Sequence, residues 1–278
     1  MKKVYGCLLT VVLAVTPAFS ALVAHWDFTN GYNDAAGSLN GTAVGTVSIV
    51  DAVYTGFSAT GKTNFTKAVQ TASSGLNLNY LNIGNLGSLG IYTNSFTISL
   101  CVKRASFSGT TPAEFWESYS GTSTVGYEGV QMSLRASGQT DPGKAYSSVG
   151  GNNTKSPALL KGGTIANDTW HWIVIRYDGD TDALKYFEDG VNLTNRNVTV
   201  TASLAQQAAR DARIGDGFGG LIADVRIYDT ALTFTADGSN VVTDGEIFGI
   251  YNQIPEPATL GMLLVGAVLV RLFGKRKG

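Results

Sequence analysis

The sequence predicts an all-β protein, an antiparallel β-sandwich, and three observations support this prediction. Hydrophobic residues alternate with other residues over many short stretches, which is the periodicity of strands in a sheet. Turn-forming pairs such as Asn40-Gly41, Ser74-Gly75 and Asp216-Gly217 separate several of these stretches. The chain of 278 residues contains 34 glycines, and we expect helix only near its ends. All-β sandwiches of this length are commonly one domain.

The clearest strand pattern is a three-strand meander that begins at Trp170. Its first strand places His171, Ile173, Ile175 and Tyr177 on one face and Trp170, Trp172, Val174 and Arg176 on the other. A turn at Asp178 to Asp182 and a second strand, Leu184 to Glu188, follow. The pair Asp189-Gly190 then supplies the positive φ angles that a tight hairpin requires before Val191.

The remaining strands are predicted from the same alternation. A helix is predicted at Asp244 to Tyr251, and Lys144 to Val149 is predicted as a strand because a structureless loop from Ala136 to Asn167 would be too long for a compact domain. The other predicted strands are Leu22 to Thr29, Thr46 to Tyr54, Ala68 to Ala72, Asn77 to Ile83, Phe96 to Arg104, Glu114 to Tyr119, Gly129 to Arg135 and Ala209 to Ile214.

Three segments resemble the laminin-G-like, concanavalin-A-like jelly rolls of secreted bacterial proteins, and they occur in that family's order. They are AHWDFTNGYNDAAG at Ala24 to Gly37, the meander from Trp170, and GGLIADVRIYDTAL at Gly219 to Leu232. The resemblance covers roughly Ala21 to Tyr251, and we place the domain at residues 21–253. It implies a jelly roll whose first and last strands pair. This architecture hosts lectins, hydrolases and adhesion modules alike, so it indicates fold more than activity.

The charge and cysteine content exclude some classes of function. Residues 21–254 carry 14 basic and 20 acidic residues, a net charge of about −6, with no basic stripe. This argues against nucleic acid and anionic lipid as partners. Cys7 lies in the leader, so Cys101 has no intrachain partner in the mature protein. It is either an inert core thiol or a reactive one.

The N-terminal segment predicts export. Residues 1–20 have a basic start at Lys2 and Lys3, an apolar run from Val4 to Val15, and small residues before Ala21. This is the pattern of a secretory signal peptide. The alternative is a buried N-terminal helix.

The C-terminal segment, residues 254–278, resembles the PEP-CTERM sorting signals of Gram-negative bacteria that build exopolysaccharide. An apolar segment, Ala258 to Phe273, would span only about 24 Å as a helix. The resemblance implies an exosortase-type processing enzyme as a partner, with transient anchoring in the inner membrane. The alternative is an ordinary tail anchor. The residues concerned are Pro255, Glu256 and Pro257, then Arg271, Lys275, Arg276 and Lys277, of which the last three are expected to stay cytoplasmic.

The sequence offers little catalytic chemistry. Only His25 and His171 are present, and both are expected to be structural, hydrogen-bonded imidazoles within strands. Glycan hydrolases of the resembled fold place two carboxylates on one face of a strand, and the cluster closest to that pattern is Glu114 with Glu117. Residues i and i+3 of a regular strand, however, point to opposite faces. We therefore predict a protein that is not an enzyme.

Calcium is considered because many domains of the resembled fold carry one structural ion near the paired first and last strands. The carboxylates in the matching segments are Asp27, Asp34 and Asp224, and hard cations prefer such oxygen ligands. The alternative is that these side chains are simply solvated.

The function predicted from these observations is an exported, non-enzymatic envelope or matrix module that binds carbohydrate, with extracellular polysaccharide as a candidate partner, or acts in adhesion or in the exopolysaccharide matrix. Trp116, Tyr119 and Tyr127 are candidate ligand-binding residues because sugar rings stack on exposed aromatic faces. Trp116 is as well explained as a core residue. The alternatives are a glycoside hydrolase of the concanavalin-A-like fold and a purely structural surface protein.

Overall fold

A computed structural model describes residues 21–54, 65–72, 78–89, 91, 95–105, 113–120, 128–135, 142–150, 158–193, 198–199 and 211–252. The predicted leader and the predicted sorting signal lie outside these residues. The described part of the chain contains no helix that is long and apolar enough to cross a membrane.

The described residues form an antiparallel β-sandwich with one short helix, α1, at Glu246–Tyr251 and one 3-10 turn at Leu86–Leu89. The strands are β1 Leu22–Trp26, β2 Thr42–Val44, β3 Val47–Tyr54, β4 Phe65–Thr71, β5 Tyr80–Asn85, β6 Phe96–Arg104, β7 Ala113–Ser120, β8 Glu128–Leu134, β9 Lys144–Gly150, β10 Ala158–Thr164, β11 Trp170–Asp178, β12 Ala183–Glu188, β13 Val191–Asn192, β14 Val198–Thr199, β15 Asp211–Ile214, β16 Gly220–Tyr228, β17 Thr235–Ala236 and β18 Val242–Asp244.

Two sheets make up the sandwich. The nine-stranded sheet has the order β13-β12-β11-β6-β16-β4-β3, with β1 paired to β16 and β14 to β12; the seven-stranded sheet has the order β10-β9-β8-β7-β15-β5-β2. Strands β17 and β18 form a separate small ribbon. The pairing of β1 with β16, in which Leu22 lies opposite Tyr228, confirms the predicted pairing of the opening strand with the strand in Gly219 to Leu232.

The main core fills the space between the two sheets. On β11 it takes Ile173, Ile175 and Tyr177, whereas Trp172 and Val174 join a second cluster on the outer face of the nine-stranded sheet. Both faces of β11 are therefore buried, with the residues divided between them as the alternation predicted. Asp189 and Gly190 have φ angles of 51° and 78°, which confirms the predicted hairpin.

The second cluster shows that the outer face of the nine-stranded sheet is covered. Ile247 and Ile250 of α1 pack with Trp172 and Phe187 of the sheet, and the ring of Tyr251 lies 5.0 Å from that of Trp172. Cys101 is buried in the same cluster, and burial raises the pKa of its thiol well above the ordinary value. The inert alternative for Cys101 is therefore supported.

Three polar side chains, His25, Asp224 and Arg226, form a hydrogen-bonded network where β1 pairs with β16. Asp224 Oδ1 lies 2.8 Å from His25 Nε2 and accepts a 2.8 Å hydrogen bond from Arg226 Nε. Asp224 lies at an irregularity in the β16–β6 register and has a φ of 49°. Burial alone would raise the pKa of Asp224, but the Arg226 charge and the His25 contact together hold it below its usual value.

We expect Asp224→Asn to lower the free energy of unfolding at neutral pH by about 3–5 kcal/mol. Asparagine keeps the shape and tolerates the left-handed backbone, but the buried guanidinium of Arg226 loses the Asp224 charge. The pKa of Asp224 is depressed by folding, so its contribution is complete above the unfolded value of about 3.9. This contribution is lost as the pH falls through the lower folded pKa, so the difference between variant and wild type should shrink below about pH 4.

Urea unfolding at a series of pH values measures this difference. The control is Asp51→Asn, which removes an exposed ion pair with Lys67 and should leave the melting temperature close to that of the wild type. An Asp224→Asn variant as stable as the wild type at pH 7 would contradict the structural role of this network.

Candidate functional site

A β-bulge in β7 determines which side chains share the outer face of the seven-stranded sheet. Glu114 lies opposite Ser133 of β8, but Trp116 lies opposite Met132, so β7 carries one extra residue, Phe115. Phe115 and Trp116 are both fully buried in the core between the sheets. The extra residue places Glu114 and Glu117 on the same, outer face.

The prediction that Glu114 and Glu117 point to opposite faces is therefore wrong. It assumed regular alternation, and the bulge breaks the alternation because two consecutive large aromatic residues enter the core. The adjacent pair Phe115-Trp116 is the signal in the sequence that could have suggested a bulge.

The strand registers place further polar residues beside this pair. Glu117 lies opposite Gln131 on β8 and opposite Arg213 on β15, and Arg213 lies opposite Asn82 on β5. Gln131 Nε2 donates a hydrogen bond to Glu114 Oε1. A row of polar side chains thus crosses the outer face from β8 to β5.

Asp216 joins the carboxylate pair from the turn that follows β15. The turn runs along β7, with hydrogen bonds from Glu114 N to Asp216 O and from Gly215 N to Phe115 O. Gly215 and Gly217 have φ angles of 82° and 68°, which glycine adopts without strain. The ring of Phe218 packs edge-on against Phe115 at 5.9 Å, which fixes the turn to the bulge.

The cluster of Glu114, Glu117 and Asp216 is compact, and we call it the carboxylate cluster. One carboxylate oxygen from each residue lies within 4.8 Å of the other two. Arg213 Nη1 lies 3.0 Å from Asp216 Oδ2 and 3.6 Å from Glu117 Oε2. Glu114 Oε2 and Glu117 Oε2 are buried and have no hydrogen-bond partner.

Burial and mutual repulsion shift the protonation of the two glutamates. Burial first, and then the charge of Glu117, raise the pKa of Glu114 well above its usual range. Burial also raises the pKa of Glu117, although contact with Glu114 and the Arg213 charge oppose the shift. The Glu114 carboxyl group therefore holds its proton to a higher pH than an ordinary glutamate.

The carboxylate cluster is reached by solvent from one side. Glu114 and Asp216 are 3% and 1% exposed, whereas the side chains of Glu117 and Arg213 are 16% and 26% exposed. Tyr80, on β5, lies beside this opening, with its ring centroid 4.4 Å from Arg213 Cζ. A small ligand would approach over Glu117, Arg213 and Tyr80.

Of the aromatic residues predicted to bind ligand, Trp116 is corrected by the structure. Its side chain is fully buried, because the bulge turns it into the core, so it offers no stacking surface. Tyr119 lies in β7, but its side chain is outside the described residues. Tyr127 lies outside them altogether. Tyr80 and Tyr146, which no pattern in the sequence singled out, lie on the outer face of the sheet, since their neighbours Leu81 and Ala145 are in the core.

The three aspartates predicted to bind calcium do not form one group of ligands in the described structure. Asp224 is held by His25 and Arg226. Asp34 accepts backbone hydrogen bonds from His25, Ala36 and Leu39. Asp27 accepts hydrogen bonds from the Thr29 amide and hydroxyl. These carboxylates instead accept hydrogen bonds from the turn and strand groups around them.

Both histidines are hydrogen-bonded within strands, as predicted. His171 Nδ1 lies 2.8 Å from Asp189 Oδ2, and His171 Nε2 accepts a 3.1 Å hydrogen bond from the Ala166 amide. Glu188 Oε2 lies nearby and accepts hydrogen bonds from the Gly163 amide and the Tyr186 hydroxyl. Side chains of this kind could hold a metal, but here both nitrogens of the imidazole are already engaged.

The fold is similar to several solved structures at low sequence identity. Domain 4 of AbnA, an extracellular arabinanase from Geobacillus stearothermophilus, was solved in complex with arabinotriose. It has a TM-score of 0.50 and 18% identity, and the match covers 84% of this chain and 98% of that one.

Two toxin domains are also similar. The binding domain of Paraclostridial Mosquitocidal Protein 1 has a TM-score of 0.53 and 14% identity, with 77% of this chain and 49% of that one covered. The binding domain of botulinum neurotoxin serotype C1 has a TM-score of 0.53 and 11% identity, with 85% and 52% covered. The chain thus spans about half the length of these toxin domains, and the likeness concerns the fold alone.

Sequence comparison gives the family. No curated protein sequence matches the chain. The profile described as the Concanavalin A-like lectin/glucanases superfamily matches residues 76–235, more than half of the chain, and this segment includes the bulged strand β7 and the turn that carries Asp216. The chain belongs to the concanavalin A-like lectin/glucanase superfamily.

Proposed function

We propose that the protein is an exported, non-enzymatic module that binds carbohydrate on the outer face of its seven-stranded sheet. The observation that carries this proposal is the difference between the two outer faces. The face of the nine-stranded sheet is covered by a hydrophobic cluster and α1. The face of the seven-stranded sheet instead presents polar and aromatic side chains, namely Tyr80, Asn82, Glu117, Gln131, Tyr146 and Arg213.

The chemistry of this face suits a sugar. Sugar hydroxyls both donate and accept hydrogen bonds, and the face supplies amide, carboxylate and guanidinium groups within one cross-strand row. Tyr80 and Tyr146 are partly exposed, and each packs against an arginine, Arg213 at 4.4 Å and Arg135 at 4.3 Å. These contacts restrain the rings and so reduce the entropy that binding would cost.

The family and the solved structures support a carbohydrate ligand. The family is named for lectins and glucanases, and the arabinanase domain of similar fold was solved with arabinotriose. Function does not follow from fold alone, so the proposal for this chain rests on its own outer face.

The proposed location is the cell envelope or the extracellular matrix. It is supported by the signal peptide pattern at residues 1–20 and by Pro255, Glu256 and Pro257 ahead of an apolar segment and a basic end. The protein would be anchored transiently in the inner membrane, processed by an exosortase-type enzyme, and placed where extracellular polysaccharide is its ligand.

A glycoside hydrolase is the second candidate, and one specific observation favours it. The bulge brings Glu114 and Glu117 onto one face with carboxylate oxygens within 4.8 Å. Retaining glycosidases use two carboxyl groups roughly 5 Å apart, one of them protonated. The buried position of Glu114, 3% exposed, is the main argument against direct contact with a glycosidic bond.

The first prediction tests carbohydrate binding with residues 21–252 on a glycan array. We expect binding to at least one glycan, and Tyr80→Ala and Asn82→Ala each to weaken it by about tenfold, which is about 1.4 kcal/mol, because both lie on the proposed face. Asp51→Asn, an exposed residue of the nine-stranded sheet, is the matched control and should bind like the wild type.

A reducing-end assay on every bound glycan separates the two candidates. Release of reducing ends that Glu117→Gln abolishes would establish the hydrolase and refute the non-enzymatic proposal. Absence of binding to any glycan would leave a purely structural surface protein as the better account.

The second prediction concerns export and processing. Protein recovered from the envelope and the medium of the producing cell should lack residues 1–20, and the released form should end near Pro255 to Pro257. Intact-mass measurement of both fractions checks this. A cytosolic species that retains both termini would refute the proposed route.

A further inference from the structure

We propose that the carboxylate cluster of Glu114, Glu117 and Asp216 is a divalent-cation site of the oxygen-ligand type that calcium favours. Two independent observations motivate this proposal. One oxygen from each carboxylate lies within 4.8 Å of the other two. Glu114 is also only 3% exposed, and its buried Oε2 atom has no hydrogen-bond partner.

The distances fit one ion. Calcium binds oxygen at about 2.3–2.6 Å, so two oxygens on opposite sides of one calcium are separated by about 4.8 Å. Oxygens no farther apart than this can contact the same ion with side-chain adjustment alone. The β7 bulge and the turn after β15 hold the three residues in this arrangement through backbone hydrogen bonds.

The charge balance also fits a divalent ion. The cluster holds three carboxylates. Among the described residues, the basic side chain found to form ion pairs with them is that of Arg213. If all three are ionised, the local charge is −2. Burying an excess charge of this size is costly, and a divalent cation would neutralise it while satisfying the oxygens that have no hydrogen-bond donor.

Enough oxygen atoms remain available for coordination. Gln131 Nε2 donates to Glu114 Oε1 and Arg213 Nη1 donates to Asp216 Oδ2. Glu114 Oε2 and Glu117 Oε2 have no hydrogen-bond partner, although Glu117 Oε2 lies 3.6 Å from Arg213 Nη1. Calcium takes six to eight oxygens, so the cluster would supply part of the shell. Water entering beside the half-buried Glu117 would supply the rest.

A second group of potential metal ligands consists of His171, Glu188 and Asp189. It is less suitable as a metal site than the carboxylate cluster. In that group His171 Nε2 accepts from the Ala166 amide, and Asp189 Oδ1 accepts from the Trp172 amide. A metal there would have to displace existing hydrogen bonds. In the carboxylate cluster, Glu114 Oε2 has no hydrogen-bond partner, and the contact of Glu117 Oε2 with Arg213 Nη1 is an ion pair at 3.6 Å.

The competing occupant is a proton. Burial raises the pKa of both glutamates, and a proton shared by the pair would also relieve their repulsion. A cation and a proton are distinguished by direct metal titration, which does not depend on carbohydrate binding or on any enzymatic activity.

The experiment uses the full chain in detergent, treated with EDTA and exchanged into metal-free buffer at pH 7.5. Isothermal titration with calcium chloride should show one ion per chain, and calcium should raise the melting temperature because it binds the folded state. Glu117→Gln should weaken the calcium affinity at least tenfold and remove the rise in melting temperature. Asp216→Asn is the second variant, in case Glu117→Gln folds poorly by circular dichroism.

The matched control is Asp211→Asn, which neutralises an exposed aspartate on β15 whose carboxylate contacts Asn82 outside the cluster. It should bind calcium like the wild type. No binding of calcium, magnesium or manganese by the wild type at millimolar concentration would overturn the proposal in favour of a protonated pair. Calcium binding that survives both Glu117→Gln and Asp216→Asn would overturn it in favour of an ion elsewhere.

Discussion

The constraint on which the candidate site depends is the bulge in β7, where Phe115 and Trp116 are adjacent and both buried. A regular strand can send only one of two neighbouring residues into the core. Inserting an extra residue relative to β8 buries both rings, and it also turns Glu117 onto the face that carries Glu114. A hydrophobic requirement on one side of the sheet thereby creates a pair of carboxylates on the other side.

The rest of the site follows from neighbours that fit this bulge. β15 presents Arg213 opposite Glu117, and the glycines at positions 215 and 217 allow the chain to turn so that Asp216 meets Glu114. Arg213 compensates part of the negative charge, but burial still raises the pKa of both glutamates. Burying this polar cluster therefore costs free energy of folding, and a bound ligand could reduce that cost.

The two sheets use their outer faces differently. In the nine-stranded sheet, β6, β11 and β16 are buried on both faces, since Leu232, Val242 and α1 pack over the outer one. His25, Asp224 and Arg226 connect β1 to β16 through hydrogen bonds and charge. The outer face of the seven-stranded sheet instead offers a row of polar side chains that includes Asn82, Gln131 and Arg213.

Much of the fold follows from the sequence. The alternation of hydrophobic residues predicted β6 and β11 and which of their side chains lie on each face. The pair Asp189-Gly190 predicted the hairpin. Both features depend on local geometry. Strand β10 at Ala158–Thr164 was missed, since Lys161, Gly162 and Gly163 give it no alternating pattern. The carboxylate cluster was also missed, because it depends on a bulge and on a turn about one hundred residues away in sequence. The sequence also did not show that Asp27, Asp34 and Asp224 each accept hydrogen bonds from neighbouring groups.

The most direct test of this account is a crystal structure of residues 21–252 with calcium and a glycan that binds on the array. The account predicts the glycan on the outer face of the seven-stranded sheet, in contact with Tyr80 and the Arg213–Glu117 pair, and a calcium ion bound by Glu114, Glu117 and Asp216. A glycan bound on the nine-stranded sheet or at the strand ends, with this face unoccupied, would contradict it.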